Sequence, residues 1–343
     1  MAKKKIFLIA LSLVLLSAAI GCRSAGSGSA PGAVSGDESG TTFPAAEAWK
    51  PEREVRVIVA YPSGSGTDIS ARLLLADAYQ YVGQILAVEN LEGADGKLGF
   101  TALAAAKPDG YTIGFINLPT FTTLALEPDS PFTLERIEPI CNHLWEPAVI
   151  VVGKDSPHKT LGDLIRAGKG ELLQCATNGN RAFGHTGAQL FAKAAGFSYK
   201  AVPYQGAAEQ LAALQQAKAD FSVLKLGDVI ALNVDENAAP RMLAVFAEDR
   251  LARYPDLPTV KELGLNVDRY GGARALVAPA GTPQAAIDFY GEAFKKTMAD
   301  KKCIADHEAA GFSMHYMGPA ALKELLAEQD TFCREVVLPL YED

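Results

Sequence analysis

Two glycine-bearing segments hold the residues best suited to chemistry. Ser63-Gly64-Ser65-Gly66-Thr67-Asp68 follows a short β-rich apolar run, Val55 to Ala60. It precedes apolar residues at helical spacing, Ile69, Leu73, Leu74, Ala76 and Ala78. A strand that turns through glycines into a helix presents unpaired main-chain N–H groups and the positive end of the helix dipole, a seat for an anion. Gly64 and Gly66 let a ligand approach the main chain closely. The same residues also make a plain strand-to-helix turn, with Thr67 or Asp68 as N-cap. The stretch Thr177-Asn178-Gly179-Asn180-Arg181-Ala182-Phe183-Gly184-His185 repeats the arrangement, with a helix expected to begin near His185. Arg181 brings a guanidinium able to grip a carboxylate through two hydrogen bonds. His185 has the side chain of a general base, yet no Ser or Cys nucleophile is evidently placed with it. A histidine at a helix start fits capping or ligand hydrogen bonding better.

Other chemistries lack their residues. A dinucleotide fingerprint would need a third glycine where Ile69 stands, and no Ser in the first loop has glycine on both sides at the spacing of a nucleophile elbow. Gly93-Ala94-Asp95-Gly96-Lys97-Leu98 lacks the first glycine of a P-loop and has Leu98 at the hydroxyl position. His143, His158, His307 and His315 have no paired spacing, and no two of the five cysteines form a CxxC. No metal and no cofactor are therefore expected.

These residues need a frame, and the hydrophobic pattern supplies one. Strand, helix, strand, helix, strand is the order from Val55 to Ile116, with a turn at Pro108-Asp109-Gly110. The alternation restarts with strands at Ala148–Val152, Leu172–Thr177, Ala201–Tyr204, Phe221–Leu226 and Met242–Ala247, and helices at Leu161–Gly168, Thr186–Ala195 and Ala207–Ala217. A strand at Ala275–Ala278 and helices at Pro283–Met298 and Ala320–Cys333 return to the first unit. The pattern predicts an α/β fold with mainly parallel sheets flanked by helices. One lobe comprises 49–148 with 270–343 and the other 149–269, joined by crossing strands around a cleft.

The first residues read as an address. Lys3, Lys4 and Lys5 precede an apolar stretch from Ile6 to Leu16, too short to span a bilayer permanently. Ala19-Ile20-Gly21-Cys22 resembles a lipobox, with Ala19 where Leu is usual, and the expectation is lipidation of Cys22 after removal of residues 1–21; the alternative is an ordinary signal peptide with a chance cysteine. Residues 23–40 include ten Gly or Ser in eighteen positions, so 22–48 forms a slack tether reaching about 30 Å. Among the other cysteines, Cys303 and Cys333 fall on helical segments and can pair, or all four remain free thiols.

The chain has 343 residues, 49% of them hydrophobic and 21% charged, with a net charge of -8. That excludes disorder, and the acid excess argues against nucleic acid as partner. Removing residues 1–21 takes away three lysines and no acid, moving the charge to about -11.

Several segments together resemble the periplasmic solute-binding proteins of tripartite tricarboxylate transporters, the TctC or Bug family. They are Val57 to Asp68, Val88-Glu89-Asn90 with Gly93-Ala94-Asp95-Gly96, and Pro108-Asp109-Gly110-Tyr111-Thr112. Val202-Pro203-Tyr204-Gln205-Gly206, Leu257-Pro258-Thr259-Val260 and Ala278-Pro279-Ala280-Gly281-Thr282-Pro283 complete the set, in the family's order and spacing. The resemblance implies a two-lobe venus-flytrap periplasmic-binding-protein fold that closes on an organic anion, usually a carboxylate, without chemistry. The expected partners are that anion and the membrane permease subunits of a tripartite transporter, with the lipid as membrane anchor and a monomer as the expected state. The chain departs from the family pattern at Ser63, Ser65, Leu91-Glu92, Asn180 to Phe183, and Lys225.

The expected ligand contacts are Tyr61, Ser63, Gly64, Ser65, Gly66, Thr67, Asp68, Asn117, Thr177, Asn178, Gly179, Asn180, Arg181, His185, Tyr204, Gly206, Lys225 and Arg274. Arg181, Lys225 and Arg274 place three cations near one cleft and favour a dicarboxylate; the alternative is that each is solvated or salt-bridged to an acid such as Asp228. A hydrolase using the cleft and a sensor subunit signalling its closure are the rival readings.

Overall fold

A computed structural model describes residues 49–232, 239–267 and 270–341. The expected leader (1–21), the tether (22–48) and Cys22 lie outside the described residues. The first elements are β1 (Val55–Val59), α1 (Gly66–Val82), β2 (Leu86–Asn90), α2 (Lys97–Ala104), β3 (Thr112–Leu118) and α3 (Thr120–Ala125). A long strand, β4 (Ile137–Val152), leads to α4 (Leu161–Gly170), β5 (Leu173–Thr177), α5 (Phe183–Ala195), β6 (Tyr199–Pro203), α6 (Ala207–Gln215), β7 (Phe221–Lys225), α7 (Leu226–Ala231) and β8 (Arg241–Val245). The chain finishes with β9 (Gly271–Pro279), α8 (Gln284–Ala299), α9 (Lys301–Ala309), β10 (Met314–Met317) and α10 (Pro319–Phe332).

The strands run in the order β2-β1-β3-β9-β4-β7-β5-β6, with β8 and β10 also paired to β4. Both flanks are parallel: β2-β1-β3 on one side and β7-β5-β6 on the other. The centre is antiparallel, because β9 pairs with β3 and β4, and β4 pairs with β7. The first part of β4, Ile137–Pro147, lies on β9, and its end, Ala148–Val151, lies on β7. One continuous strand thus serves two lobes and fixes their spacing through its own backbone.

Successive side chains of a strand point to opposite faces, so a strand covered by helices on both sides is apolar throughout. In β1, Val55, Val57 and Val59 pack with α1 and α8 residues such as Leu74 and Phe294, while Ile58 faces Phe100 and Phe121. The second lobe repeats this: Ile150, Cys175 and Phe221 join one core, and Val149, Val151 and Leu224 the other.

Some elements lack the pattern that would reveal them. The first part of β4 contains Pro139, Asn142, His143, Trp145, Glu146 and Pro147, which interrupt apolar alternation. Helix α9 (KKCIADHEA) buries only Cys303 and His307. Helix α8 packs in the same core as α1, whereas the C-terminal end reaches further. Phe332 packs against the second lobe's core, and Tyr341 lies 3.2 Å from Thr186 of α5 through its hydroxyl.

Cys141, Cys175, Cys303 and Cys333 are all buried and free. Cys303 Sγ lies 3.6 Å from His307 Nδ1 and Cys333 Sγ 3.4 Å from Thr123 Oγ1. Among the described residues no helix is long and apolar enough to cross a membrane.

Candidate anion-binding cleft

A cavity of about 190 Å³ lies where the starts of α1 and α6 meet the end of β7. Its first wall is the loop Tyr61 to Thr67. Ser65 is the N-cap of α1, its hydroxyl accepting from the Asp68 N–H at 3.3 Å, where the sequence pointed to Thr67 or Asp68. The helix starts at Gly66, so the N–H groups of Gly66 and Thr67 have no acceptor within the helix. Gly64 sits at φ 79°, the left-handed region open to glycine, and lets the loop reverse. Gly66 is glycine for another reason. A Cβ there would overlap the Asp228 carboxylate and come 3.0 Å from Arg274 Nη2.

Asp68 organises this loop instead of lining the cavity. Its carboxylate accepts from the Gly64 N–H at 2.9 Å, from Arg72 Nε at 2.9 Å and from Asn90 Nδ2 at 2.9 Å. Burial raises its pKa, but the hydrogen bonds from Arg72, Gly64 and Asn90 outweigh that and leave it below the usual carboxylate value. Asn117 at the end of β3 donates to Thr67 Oγ1 at 2.8 Å and fixes the helix start from below. Its own Oδ1 is buried without a partner among the described residues.

The second lobe presents a different helix from the one the sequence indicated. The first two N–H groups of α5, and that of Arg181 just before it, are already used. Phe183 donates to Thr120 Oγ1 at 3.1 Å, Gly184 to Asn178 Oδ1 at 2.8 Å, and Arg181 to His185 Nδ1 at 3.2 Å. His185 is thereby an acceptor, and burial pushes its pKa down to about 4. Helix α6 instead faces the cavity with Gly206, Ala207, Ala208, Glu209 and Gln210. Its N-cap, Gly206, supplies no side-chain cap, so the first N–H groups of α6 have no acceptor within the helix.

Beneath the cavity lies a cluster of charges. Arg274, 1% exposed, pairs through Nη2 with Asp228 and through Nη1 with Glu146 at 3.3 Å. Lys225, 5% exposed, closes β7 and lines the cavity. Its ammonium lies 4.1 Å from the centre of the Phe183 ring and forms no ion pair among the described residues. Burial lowers the Lys225 pKa to about 8, and Asp228 and Glu146 hold it from falling further while Arg274 presses it down. Burial likewise raises Glu146, with Arg274 opposing.

The structure therefore brings Tyr61, Ser63, Gly64, Ser65, Gly66, Thr67, Asn117, Asn178, Gly206 and Lys225 to the cavity wall. It places Asp68, Thr177, Gly179, Asn180, Arg181, His185, Tyr204 and Arg274 elsewhere. Thr177 accepts the Tyr204 N–H through its carbonyl at 2.8 Å, and the Tyr204 ring packs in the second lobe. Arg181 turns toward Tyr341, 5.5 Å from its ring centre. Sequence reading missed Pro62, Phe183, Gln205, Ala207, Ala208, Glu209, Gln210, Val223, Leu224 and Asp228. The uncapped glycine before Ala207 was the available signal for α6.

Comparison with known proteins identifies the family and the fold. Residues 70–337 match the model of the tripartite tricarboxylate transporter family receptor. A protein of Cupriavidus necator, described as the UPF0065 protein in the gbd 5' region, is 31% identical over 255 residues, which is 72% of this chain and 75% of that protein. The periplasmic binding protein BugD aligns with a TM-score of 0.78 and 26% identity over 84% of this chain and 98% of its own. MatC from Rhodopseudomonas palustris, solved with bound malate, aligns with a TM-score of 0.74 and 25% identity over 82% of this chain and 97% of its own. The architecture is the two-lobe fold of periplasmic binding proteins, and the chain belongs to the tripartite tricarboxylate transporter receptor family, as the TctC and Bug resemblance implied.

Proposed function

We propose that this protein is an extracytoplasmic receptor that closes two lobes, 49–148 with 270–343 and 149–269, around one small organic carboxylate. It delivers that ligand to the membrane subunits of a tripartite tricarboxylate-type transporter. The observation that carries the reading is the cavity wall itself: two helix starts, whose first N–H groups have no acceptor within their own helices, and one buried ammonium line the same space. All three favour negative charge in a protein that is acidic as a whole. The malate bound to MatC supports the carboxylate class. In this reading the protein does no covalent chemistry, works as a monomer, and is held at the membrane by a lipid on Cys22.

A thermal-shift screen of organic acids tests it. A ligand at about 100 times its Kd adds about 2.7 kcal/mol of stability and is recovered unchanged. No shift with any carboxylate, or turnover of one, rejects the reading.

A further inference from the structure

We infer that Lys225 is the specificity residue of this cleft: its ammonium takes a second anionic group of the ligand while the first sits at the start of α1. The inference rests on the carboxylate reading above and deepens it. Three cationic side chains were candidates for this role. Arg274 is committed to Asp228 and Glu146 in the core, and Arg181 is turned to Tyr341 away from the cavity. Lys225 alone of the three lines the cavity, and it does so almost wholly buried.

A buried ammonium with no direct ion-pair partner is costly, even with carboxyl groups in the same cluster. Here the Phe183 ring gives a partial, quadrupolar partner on one side. Arg274 and Lys225 together match Asp228 and Glu146 in formal charge, but both carboxyl groups pair with Arg274, and neither forms an ion pair with Lys225 among the described residues. A ligand carboxylate at Lys225 restores the pairing that the protein leaves open.

The position also fits. Lys225 is the last residue of β7, which runs parallel to β5, and α/β folds place ligands at such strand ends. The cavity spans from this ammonium to the α1 start, where the N–H groups of Gly66 and Thr67 have no acceptor within the helix. A ligand with an anionic group at each end satisfies both walls, whereas a monocarboxylate leaves one of them unpaired.

Isothermal titration of the mature chain with matched acids tests this: succinate against butyrate, glutarate against valerate, and adipate against hexanoate. Wild-type protein is expected to favour the best diacid over its matched monoacid by roughly tenfold or more, the worth of one charge-assisted hydrogen bond. In Lys225→Met, which keeps an unbranched apolar stem and removes the ammonium, that ratio should fall to about threefold or less. In Lys225→Arg it should stay within about threefold of wild type. A diacid preference that survives Lys225→Met overturns the inference, as does an equal loss in folded Lys225→Arg. Monoacids binding wild type as tightly as diacids also overturn it but leave the carboxylate reading standing. Wild type binding none of these acids, with no thermal shift from any carboxylate, rejects both.

Discussion

The Asn180 N–H donates to the carboxylate of Asp95, joining the loop after β5 to the loop after β2 across the two lobes. Asp95 stands at φ 60° and Gly179 at φ 109°, so both chains bend sharply to meet. A Cβ on Gly179 would overlap the Asp95 carboxylate. Burial raises the Asp95 pKa, and the Asn180 N–H and Lys97 offset part of that rise.

This contact makes Gly179 a determinant of closure. Gly179→Ala adds a clash with Asp95 and a strained φ, together about 1–3 kcal/mol, so ligand affinity should fall about tenfold or more. Small-angle scattering should show a larger radius of gyration for the liganded mutant. Asp95→Ala in the same chain removes the clash, so the double mutant should lose less than the sum of the singles. Strict additivity would show that the two loops do not meet in the working closed form.

The two glycines of the first loop should separate by mechanism. A methyl added at Gly64 would meet no heavy atom within 4 Å, so Gly64→Ala faces only its positive φ and should cost about 1 kcal/mol of stability. Gly66→Val pushes against Asp228 and Arg274 and should abolish binding while lowering Tm much further. Equal effects of the two in denaturation and binding measurements would contradict this packing.

Arg274→Ala should unfold the protein more than it alters ligand choice. It leaves Asp228 and Glu146 buried without their cation, a loss of about 3–5 kcal/mol for a broken buried pair. Urea titration checks the magnitude. A near-neutral effect on stability with a selective loss of diacid binding would return Arg274 to the ligand.

The amino-acid sequence carries the order of strands and helices because apolar runs and glycine turns mark each one locally. It does not carry partnerships formed at long range. In the sequence, Arg274 reads equally as a ligand cation or as the partner of an acid such as Asp228, and only the meeting of β9 and α7 decides for the ion pair. The start of α5 reads as an anion seat until Thr120, Asn178 and His185 consume its N–H groups. Lys225 is legible from sequence as a basic residue at a strand end, and that is where the cavity lies.

Acid should destabilise the fold well above the carboxylate range. His143 and His307 are buried with their Nε2 atoms 2.9 Å apart, and burial lowers both pKa values, as it does that of His185. The unfolded chain takes up these protons below about pH 6.5 and the native one does not, so stability present above that value is lost as pH falls. Glu146, raised to about 7 by burial, acts with the opposite sign and offsets one of the three. A net uptake of up to two protons gives a slope of about 2.7 kcal/mol per pH unit at most. Denaturant titrations across this range should show it, and His307→Gln should flatten it. A flat profile between pH 7 and 5 would contradict neutral burial of these rings.

Native mass spectrometry of the chain purified without denaturation tests the central claim most directly. The cleft between α1 and α6 predicts a single small acid at one per chain, carrying one or more carboxylates, lost from Gly66→Val. A neutral or cationic compound in its place, or an acid that Gly66→Val still holds as tightly, would contradict an anion seated between the starts of these two helices.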